Sequence, residues 1–466
     1  MSLFLKDILG QLPKEDTYNY RDSNKILFNT SNKTCVIIDD DPTGNQTVYD
    51  VPILTQWDLN TLIHEFKKET RTFFILTNSR SLSKEKSSAI YKEISKNILK
   101  ASQLTLRDYT IVSRSDSTLR GHFSEIEAIK QSGDFNKAIT VFAPVMFEGG
   151  RVTISDIHYI NENQKLVPVN KTAFSKDHTF AYMNADLKYY IEEKTNGKTK
   201  APNVVSISIE TIRTMDVNAL CTLISAIAPG KYCIINAVSY SDLDKVAQAL
   251  LLAEKSGKKI LYRTSSSFAP SYIGLTPKPL LDTEQLIDPK NKNGGLTIVG
   301  SYVPKSSSQL KHVFENNNQI TTIVVDVEIV LGPRSTAYLE SIISNINKTT
   351  ESGRDAIVYT SRKLITGNNA KTNIDIATKI SQALVTMVNG IKVCPKYILA
   401  KGGITSHDLA IKGLYMNRSK VLGQILPGVP VWEMGMETRF PKLLYIVFPG
   451  NIGDEKSLSE IIKKLS

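Results

Sequence analysis

Short apolar runs alternate with amphipathic stretches along the chain, a pattern typical of an α/β fold with mostly parallel sheets flanked by helices. In the first half the apolar runs predict strands at residues 35–38, 72–77, 109–113, 138–142, 204–207, 233–236 and 260–262. In the second half they predict strands at 296–300, 323–326, 356–360, 397–400 and 443–448, with a helix at 374–387.

The stretch between the two halves, residues 271–295, is rich in Pro, Lys, Asn and Gly and has little apolar periodicity. This composition is typical of a domain boundary. We therefore expect two α/β domains, residues 1–280 with a core that begins near 33, and residues 290–466. The stretch is a candidate hinge, although a passive linker has the same composition.

Composition narrows the class of protein. The chain has 466 residues, 41% of them hydrophobic, which is enough for roughly two or three domains with buried cores. Its first residues do not combine a basic segment with a long apolar one, and no apolar run reaches the ~18 residues of a membrane span. We expect a cytoplasmic protein with no membrane partner.

Charge and cysteine usage point to small-molecule ligands. The net charge of +11 raises nucleic-acid binding as an option, but Lys and Arg interleave with Asp and Glu and form no basic block. A diffuse positive field suits ATP and a carboxylate substrate equally well. The widely spaced cysteines favour core positions over a zinc site or a disulfide framework: Cys35, Cys221, Cys233 and Cys394.

One turn in the second half has the features of a phosphate-binding loop. Residues 397–410, YILAKGGITSHDLA, run from an apolar strand through a double glycine into a helix. Gly402 and Gly403 can adopt positive φ and let backbone N–H groups approach an anion, and Lys401 adds a point charge. Thr405 or Ser406 is expected to cap a helix that starts near His407. An ordinary strand-to-helix connection is the alternative.

Two further turns of this kind follow strands in the second half. They lie in LTIVGSYVPKSSSQ, residues 296–309, and LLYIVFPGNIG, residues 443–453. Turns at the carboxyl ends of strands converge on one crevice in an open α/β sheet. Because no Walker A or G-x-G-x-x-G sequence is present, the two commonest nucleotide folds lose support.

Four polar turns follow strands in the first half: VIIDDDPTGNQT (36–47), TNSRS (77–81), SRSDSTLRGH (113–122) and APVMFEGGR (143–151). Asp40 and Asp41 can hold substrate hydroxyls or a metal-bound water, unless they form an exposed acidic turn. Arg80 can pair with a ligand carboxylate, unless it pairs with a surface Glu. So many donors around carboxylates suit an anionic polyol. Together the turns predict one crevice that faces the second domain.

These motifs together resemble those of the four-carbon acid sugar kinases. DDDPTG, SRSDSTLRG, APVMFEGGR, VGSYVP, KGGITS, GQILPGVPVW and FPGNIG occur in that family's order, from about residue 35 to residue 454. The resemblance implies a sugar-acid-binding N-terminal domain, an ATP-binding C-terminal domain, an active site in the cleft between them, and ATP and Mg²⁺ as cofactors. It leaves the metal ligands unidentified and a homodimer open.

The same resemblance assigns site residues by motif. The substrate residues it implies are Asp40, Asp41, Arg80, Arg114, Ser115, Asp116 and Arg120. The nucleotide residues it implies are Ser301, Gly402, Gly403, Ile404, Thr405 and Gly450. Two positions depart from the family: Arg114 stands where many members have Lys, and FPGNIG replaces a sequence like K-S-G-N-F-G. Phe448 thus stands where those members have a lysine suited to phosphate.

The reaction expected from this resemblance is phosphoryl transfer from MgATP to a hydroxyl of an acid such as threonate, erythronate or a 3-oxo-tetronate. The chemistry needs alignment, charge neutralisation and a proton acceptor. Asp116 is the first choice of acceptor because Arg114 and Arg120 bracket it, and Asp41 is the second choice, with support of Mg²⁺ as its other role. Asp116 is otherwise a helix cap.

Three other functions stay open at this stage. They are a non-catalytic sensor of a sugar acid or a nucleotide, a kinase for a different hydroxy acid, and a hydrolase or lyase that acts on phosphorylated acids. No G-x-S-x-G elbow or paired Cys/His metal motif supports the hydrolase or lyase.

Overall fold

The structure is a computed structural model that describes residues 3–68, 70–301, 303–317, 319–362 and 370–466. The chain folds into two compact units. The N-terminal unit comprises Met1–Val48 and Gln56–Pro277, and the C-terminal unit comprises Tyr49–Thr55 and Lys278–Ser466. The short segment Tyr49–Thr55 therefore belongs to the second unit although it lies early in the sequence.

The strands in chain order are β1 (Leu3–Phe4), β2 (Lys33–Asp39), β3 (Val51–Leu54), β4 (Thr72–Leu76), β5 (Asp108–Arg114), β6 (Ile139–Ala143), β7 (Arg151–Ile154), β8 (Ile157–Glu162), β9 (Lys165–Pro168), β10 (Val205–Ile207), β11 (Tyr232–Ile235), β12 (Ile260–Thr264), β13 (Leu296–Val299), β14 (Thr321–Val325), β15 (Ala356–Thr360), β16 (Ile398–Lys401), β17 (Arg418–Leu426), β18 (Val429–Met434) and β19 (Leu444–Phe448).

The helices are α1 (Leu5–Leu9), α2 (Tyr20–Thr30), α3 (Leu59–Phe66), α4 (Lys84–Thr105), α5 (Ser124–Ser132), α6 (Leu187–Lys194), α7 (Ile209–Thr214), α8 (Val217–Ala226), α9 (Tyr240–Lys255), α10 (Phe268–Ile273), α11 (Thr283–Leu286), α12 (Pro304–Asn316), α13 (Val327–Leu331), α14 (Ser335–Glu351), α15 (Ala370–Asn389), α16 (Gly403–Asp408) and α17 (Ser457–Leu465). A π-helical turn, Leu409–Gly413, continues α16.

The core of the N-terminal unit is a parallel sheet in the order β10-β11-β6-β12-β5-β2-β4. Its central strands are buried along nearly their whole length, as expected for a parallel sheet with both faces covered by helices. A small antiparallel sheet, β1-β9-β8-β7, forms a second layer in this unit.

The C-terminal unit has a mixed sheet. Strands β19-β16-β13-β15-β14 are parallel, and β18, β17 and β3 extend the β19 side in antiparallel pairing. Buried and half-buried residues alternate along β17, because it belongs to this antiparallel extension.

The expected α/β class and the predominance of parallel strands are confirmed. Each predicted strand is present, with ends shifted by at most two residues. The sequence pattern did not predict the antiparallel strands β1, β3, β7, β8, β9, β17 and β18, where apolar runs are short or mixed with charged residues. Of the four cysteines, Cys35 and Cys233 are buried and the other two are half-buried.

Candidate active site

Three consecutive carboxylates stand at the buried carboxyl end of β2. Asp39 is the last residue of the strand, and Asp40 and Asp41 follow it. Asp39 and Asp40 are fully buried, whereas 20% of the Asp41 side chain is exposed. Since buried carboxylates require cations or hydrogen-bond donors, the alternative of an exposed acidic turn is wrong for this segment.

Two arginines from the neighbouring strand ends supply those cations. Arg80, in the turn after β4, places Nη2 2.6 Å from Asp40 Oδ1 and Nη1 3.2 Å from Asp41 Oδ2. Arg114, the last residue of β5, places Nη1 3.2 Å from Asp39 Oδ1. Because β2 lies between β4 and β5, the two guanidinium groups reach the carboxylates from opposite sides. The alternative pairing of Arg80 with a surface Glu is therefore not what the fold adopts.

The turn after β5 adds a neutral donor to this cluster. The Ser115 hydroxyl donates to Asp40 Oδ2 at 2.8 Å. Gly121 closes the same turn with φ of 134°, and a Cβ added there would lie 2.6 Å from Ser115 Oγ and 3.0 Å from Asp40 Oδ2. Glycine is required at this position both by the backbone conformation and by the close approach.

Asp116 and Arg120 form the more accessible part of the cluster. Arg120 Nε lies 2.7 Å from Asp116 Oδ2, and the Thr118 hydroxyl donates to the same oxygen. The Arg120 side chain is 27% exposed, against 17% for Arg80 and 6% for Arg114. Arg120 is thus the guanidinium of the three that a ligand reaches most easily.

Asp116 does not cap the helix that follows it. Helix α5 begins at Ser124 after Phe123, and no side chain caps its first turn. The alternative role expected for this carboxylate, a helix cap, is therefore wrong, and its partners are Thr118 and Arg120.

The arginines keep two of the carboxylates charged. Burial alone would raise the pKa of Asp41, but Arg80, Arg114 and hydrogen bonds from Thr43 together hold that pKa below its ordinary value. Burial likewise opposes ionisation of Asp116, but Arg80 and Arg120 hold its pKa far below the ordinary value. Both side chains are therefore acceptors for ligand hydroxyls at neutral pH.

Asp39 is in a different electrostatic state. Burial raises its pKa to about 7, only partly offset by Arg114 and increased further by Asp40 and Asp41. Its Oδ2 has no hydrogen-bond partner among the residues that the structure describes, and a Cβ added to Gly44 would lie 2.0 Å from that oxygen. The close approach of Gly44 explains why the turn after the carboxylates needs a glycine.

A buried ion pair behind the cluster was not predicted from the sequence. Arg263, in β12, donates from Nη1 to Glu125 Oε2 at 2.7 Å and to Ser113 Oγ at 2.8 Å. Glu125 also accepts hydrogen bonds from Ser79 at 2.7 Å and Ser87 at 2.8 Å. Because Ser79 immediately precedes Arg80, this network fixes the turn that carries Arg80.

The C-terminal unit brings the predicted nucleotide residues together after β13, β16 and β19. A Cβ added to Gly402 would lie 3.1 Å from Ser301 Cβ, and one added to Gly450 would lie 3.1 Å from Ser301 Oγ. Ser306, in α12, donates to Ser301 Oγ at 3.1 Å. The three turns therefore form one small cradle around Ser301.

The loop after β16 differs in detail from the expectation. Gly402 has φ of 113°, while Gly403 is already the first residue of α16. Thr405 and Ser406 do not cap this helix, because it begins before them and no side chain caps it. The Ser406 hydroxyl instead lies 2.8 Å from the carbonyl oxygens of Ala400 and Gly402.

Thr405 and Ile404 occupy the two sides of this loop. A Cβ added to Gly300 would lie 2.3 Å from Thr405 Oγ1, so the threonine packs against the turn after β13. The Ile404 side chain is 62% exposed. An exposed isoleucine beside a glycine cradle offers an apolar contact for the base of a nucleotide.

Two cations lie at this end of the sheet. Lys401 is fully buried, and its Nζ lies 3.3 Å from the Pro449 carbonyl oxygen and 3.5 Å from the centroid of the Phe448 ring. Arg362, after β15, donates from Nη1 to the Ser301 carbonyl oxygen at 2.6 Å. Arg362 Nε and Nη2 are buried with no hydrogen-bond partner among the described residues. Sequence reasoning missed Arg362, which lies outside any glycine motif.

Among the residues that the structure describes, no group of three His, Cys, Asp or Glu side chains is arranged to hold a metal ion. No helix in these residues is both long enough and apolar enough to cross a membrane.

Comparison with known families agrees with the division into two units. Residues 35–272 match the model of a sugar-binding N-terminal domain, and residues 296–458 match the model of a nucleotide-binding C-terminal domain. A search of curated proteins gave no match.

Solved structures share the fold at low sequence identity. A Haemophilus influenzae protein from a family of unknown function superposes with a TM-score of 0.63 at 16% identity, over 92% of this chain and 100% of that one. A Salmonella typhimurium LT2 protein described as a candidate tRNA synthase gives a TM-score of 0.66 at 13% identity, over 92% and 98%. At these identities the likeness extends to the fold alone.

Proposed function

Because the chain belongs to the family that joins a sugar-binding N-terminal domain to a nucleotide-binding C-terminal domain, the architecture of four-carbon acid sugar kinases, we propose that it phosphorylates a short sugar acid with ATP. The acceptors we propose are threonate, erythronate or a 3-oxo-tetronate. The observation that carries the proposal is the cluster of carboxylates, arginines and a serine at the ends of β2, β4 and β5.

The residues of this cluster suit different parts of such a substrate. Asp41 and Asp116 are ionised and partly accessible, so they can accept hydrogen bonds from two hydroxyls. Arg120 is the most exposed of the three guanidinium groups, and we assign it to the substrate carboxylate. Arg80 holds Asp40 and Asp41 in place, and Arg114 compensates the charge of Asp39.

We assign proton acceptance to Asp116. Its Oδ2 accepts from Arg120 and Thr118, while its Oδ1 receives no hydrogen bond from a described residue. Asp40 is a poorer choice, because it is fully buried and both of its oxygens are occupied by Arg80 and Ser115. Asp41 is the second choice, since it retains some exposure.

In the C-terminal unit, we propose that the cradle around Ser301 binds the ATP phosphates. Gly402 and Gly450 leave room for close backbone approach, and two Arg362 donors beside Ser301 have no partner in the described ranges. Mg²⁺ usually binds to nucleotide phosphates and waters with one or two carboxylates. Asp41 is the carboxylate we propose for its support, and the metal would neutralise phosphate charge.

The test is a screen for ADP release with saturating MgATP and a panel of threonates, erythronates, 3-oxo-tetronates and longer aldonates. We expect release to depend on one four-carbon acid, and ³¹P NMR of the product to identify the phosphorylated hydroxyl. Tight binding of the acid without ADP release would support a sensor instead. Turnover confined to longer acids would support a kinase for a different hydroxy acid.

A further inference from the structure

Lys401 is an unusual residue for the interior of a protein. It is the last residue of β16, and it is fully buried. An ammonium group has three donors, but among the described residues the Pro449 carbonyl oxygen, at 3.3 Å, is the one hydrogen-bond acceptor of Nζ. No ion pair between described residues includes Lys401. Buried charges are normally paired, so this side chain requires an explanation.

The position of Lys401 in the sheet supplies one. It is the register partner of Phe448 on the parallel strand β19, and its Nζ lies 3.5 Å from the centre of that ring. The residues that immediately follow these two partners are Gly402 and Pro449-Gly450, which form two sides of the cradle around Ser301. The ammonium group is therefore held directly beneath the turns proposed to bind phosphate.

We propose that Lys401 supplies positive charge to the nucleotide phosphates from beneath the cradle, and that it takes up a proton from solvent when nucleotide binds. This inference rests on the proposed nucleotide site. Lys401 acts here as a positioning residue, since its Nζ lies under the turn.

The electrostatic environment supports the proton step. Burial, together with the charge of Lys305 at the start of α12, lowers the pKa of Lys401 to about 7. From β19 the neighbour of the ammonium group is the Phe448 ring. In α16, Asp408 is engaged by Ser381 and Lys412.

A phosphate above the turn would favour the charged form of Lys401 and raise its pKa. Because a pKa of about 7 leaves much of Lys401 neutral at pH 8 before nucleotide binds, binding would then take up part of a proton.

Calorimetry of the full chain tests this directly. Binding of MgADP is measured at pH 8 in buffers of low and high ionisation enthalpy, so that proton uptake is read from the difference in heat. The variants are Lys401→Met, which keeps the length of the side chain, and Lys311→Met, which removes an exposed lysine of the same unit. We expect proton uptake in the wild type and in Lys311→Met, its loss in Lys401→Met, and about 10- to 100-fold weaker binding in that variant.

The outcomes separate this inference from the proposed function. Wild-type protein that binds neither MgADP nor MgATP overturns the nucleotide site and the inference with it. Wild-type protein that binds nucleotide without proton uptake overturns the inference alone, and this result needs no folded variant. A folded Lys401→Met protein with unchanged affinity and unchanged uptake also overturns it.

Discussion

At the scale of single residues, the sharpest prediction concerns Asp116, whose Oδ1 accepts no hydrogen bond from the described part of the chain. We expect Asp116→Asn to lower kcat by about 10²- to 10⁴-fold, because the amide keeps the contacts of Oδ2 but cannot accept the hydroxyl proton. Both ligands should bind nearly as before. Steady-state kinetics at saturating MgATP, with Asp41→Asn alongside, measures the effect. Near-normal turnover in Asp116→Asn and a large loss in Asp41→Asn would transfer the role to Asp41.

Arg120 and Arg80 separate direct recognition from positioning. Arg120→Lys should raise the KM for the sugar acid about 10- to 100-fold, since a fork of donors becomes a point charge. Arg80→Lys should lower kcat as well, because Arg80 orients both Asp40 and Asp41. The KM for ATP serves as the internal control in both variants. If both variants lose ATP binding and keep the acid KM, the assignment of ligands to the two units is reversed.

At the scale of elements, the turn after β16 depends on one glycine. Gly402 has φ of 113°, and a Cβ there would lie 3.1 Å from Ser301 Cβ. We expect Gly402→Val to weaken ATP binding by at least about tenfold and to leave acid binding unchanged, because a β-branched residue disfavours this conformation and fills the cradle. Gly230→Val is the matched control, since Gly230 also has positive φ but no atom lies near its added Cβ. Equal nucleotide affinity in both folded variants would remove Gly402 from the site.

Sequence patterns predicted some of the contacts between these elements and missed others. The turns after β2, β4 and β5 were predictable as neighbours, because parallel strands end at the same edge of a sheet. The Arg263–Glu125 pair was not, since its members lie 138 positions apart in the sequence. For Lys401, the pattern predicted a charge at a strand end, but burial against Phe448 depends on the pairing of β16 with β19. That the site residues bind a sugar acid and ATP stays a prediction.

At the scale of the whole molecule, these groups make the stability of both units rise with pH, but over different pH ranges. The pKa values of Asp41 and Asp116 are lowered in the folded N-terminal unit, so their contribution is present above about pH 4 and is lost as the solution becomes more acidic. The pKa of the Lys401 ammonium group is lowered in the folded C-terminal unit. Protonation of this residue therefore destabilises that unit. Between pH 7 and about pH 10 the unfolded chain binds more protons at this residue than the folded one, and stability from this group rises with pH.

Removal of the Lys401 amine should therefore change how the stability of the C-terminal unit depends on pH. Lys401→Met should stabilise the C-terminal unit by on the order of 1 to 3 kcal/mol at or below pH 7, and the gain should shrink toward zero near pH 10.5. The full difference between the folded and unfolded pKa values of Lys401 would correspond to a larger gain in stability. The variant gains less because it also loses the contact between Nζ and the Phe448 ring. Hydrogen exchange of the strands of each unit measures this separately, because unfolding of two units need not be a single transition. Lys311→Met should show no such pH dependence.

A folded Lys401→Met protein that is less stable by the same amount at pH 6 and pH 10 would mean that the lysine serves packing and stays neutral. A gain in stability together with weaker nucleotide binding would instead show a buried charge retained at the expense of stability for its effect on the ligand.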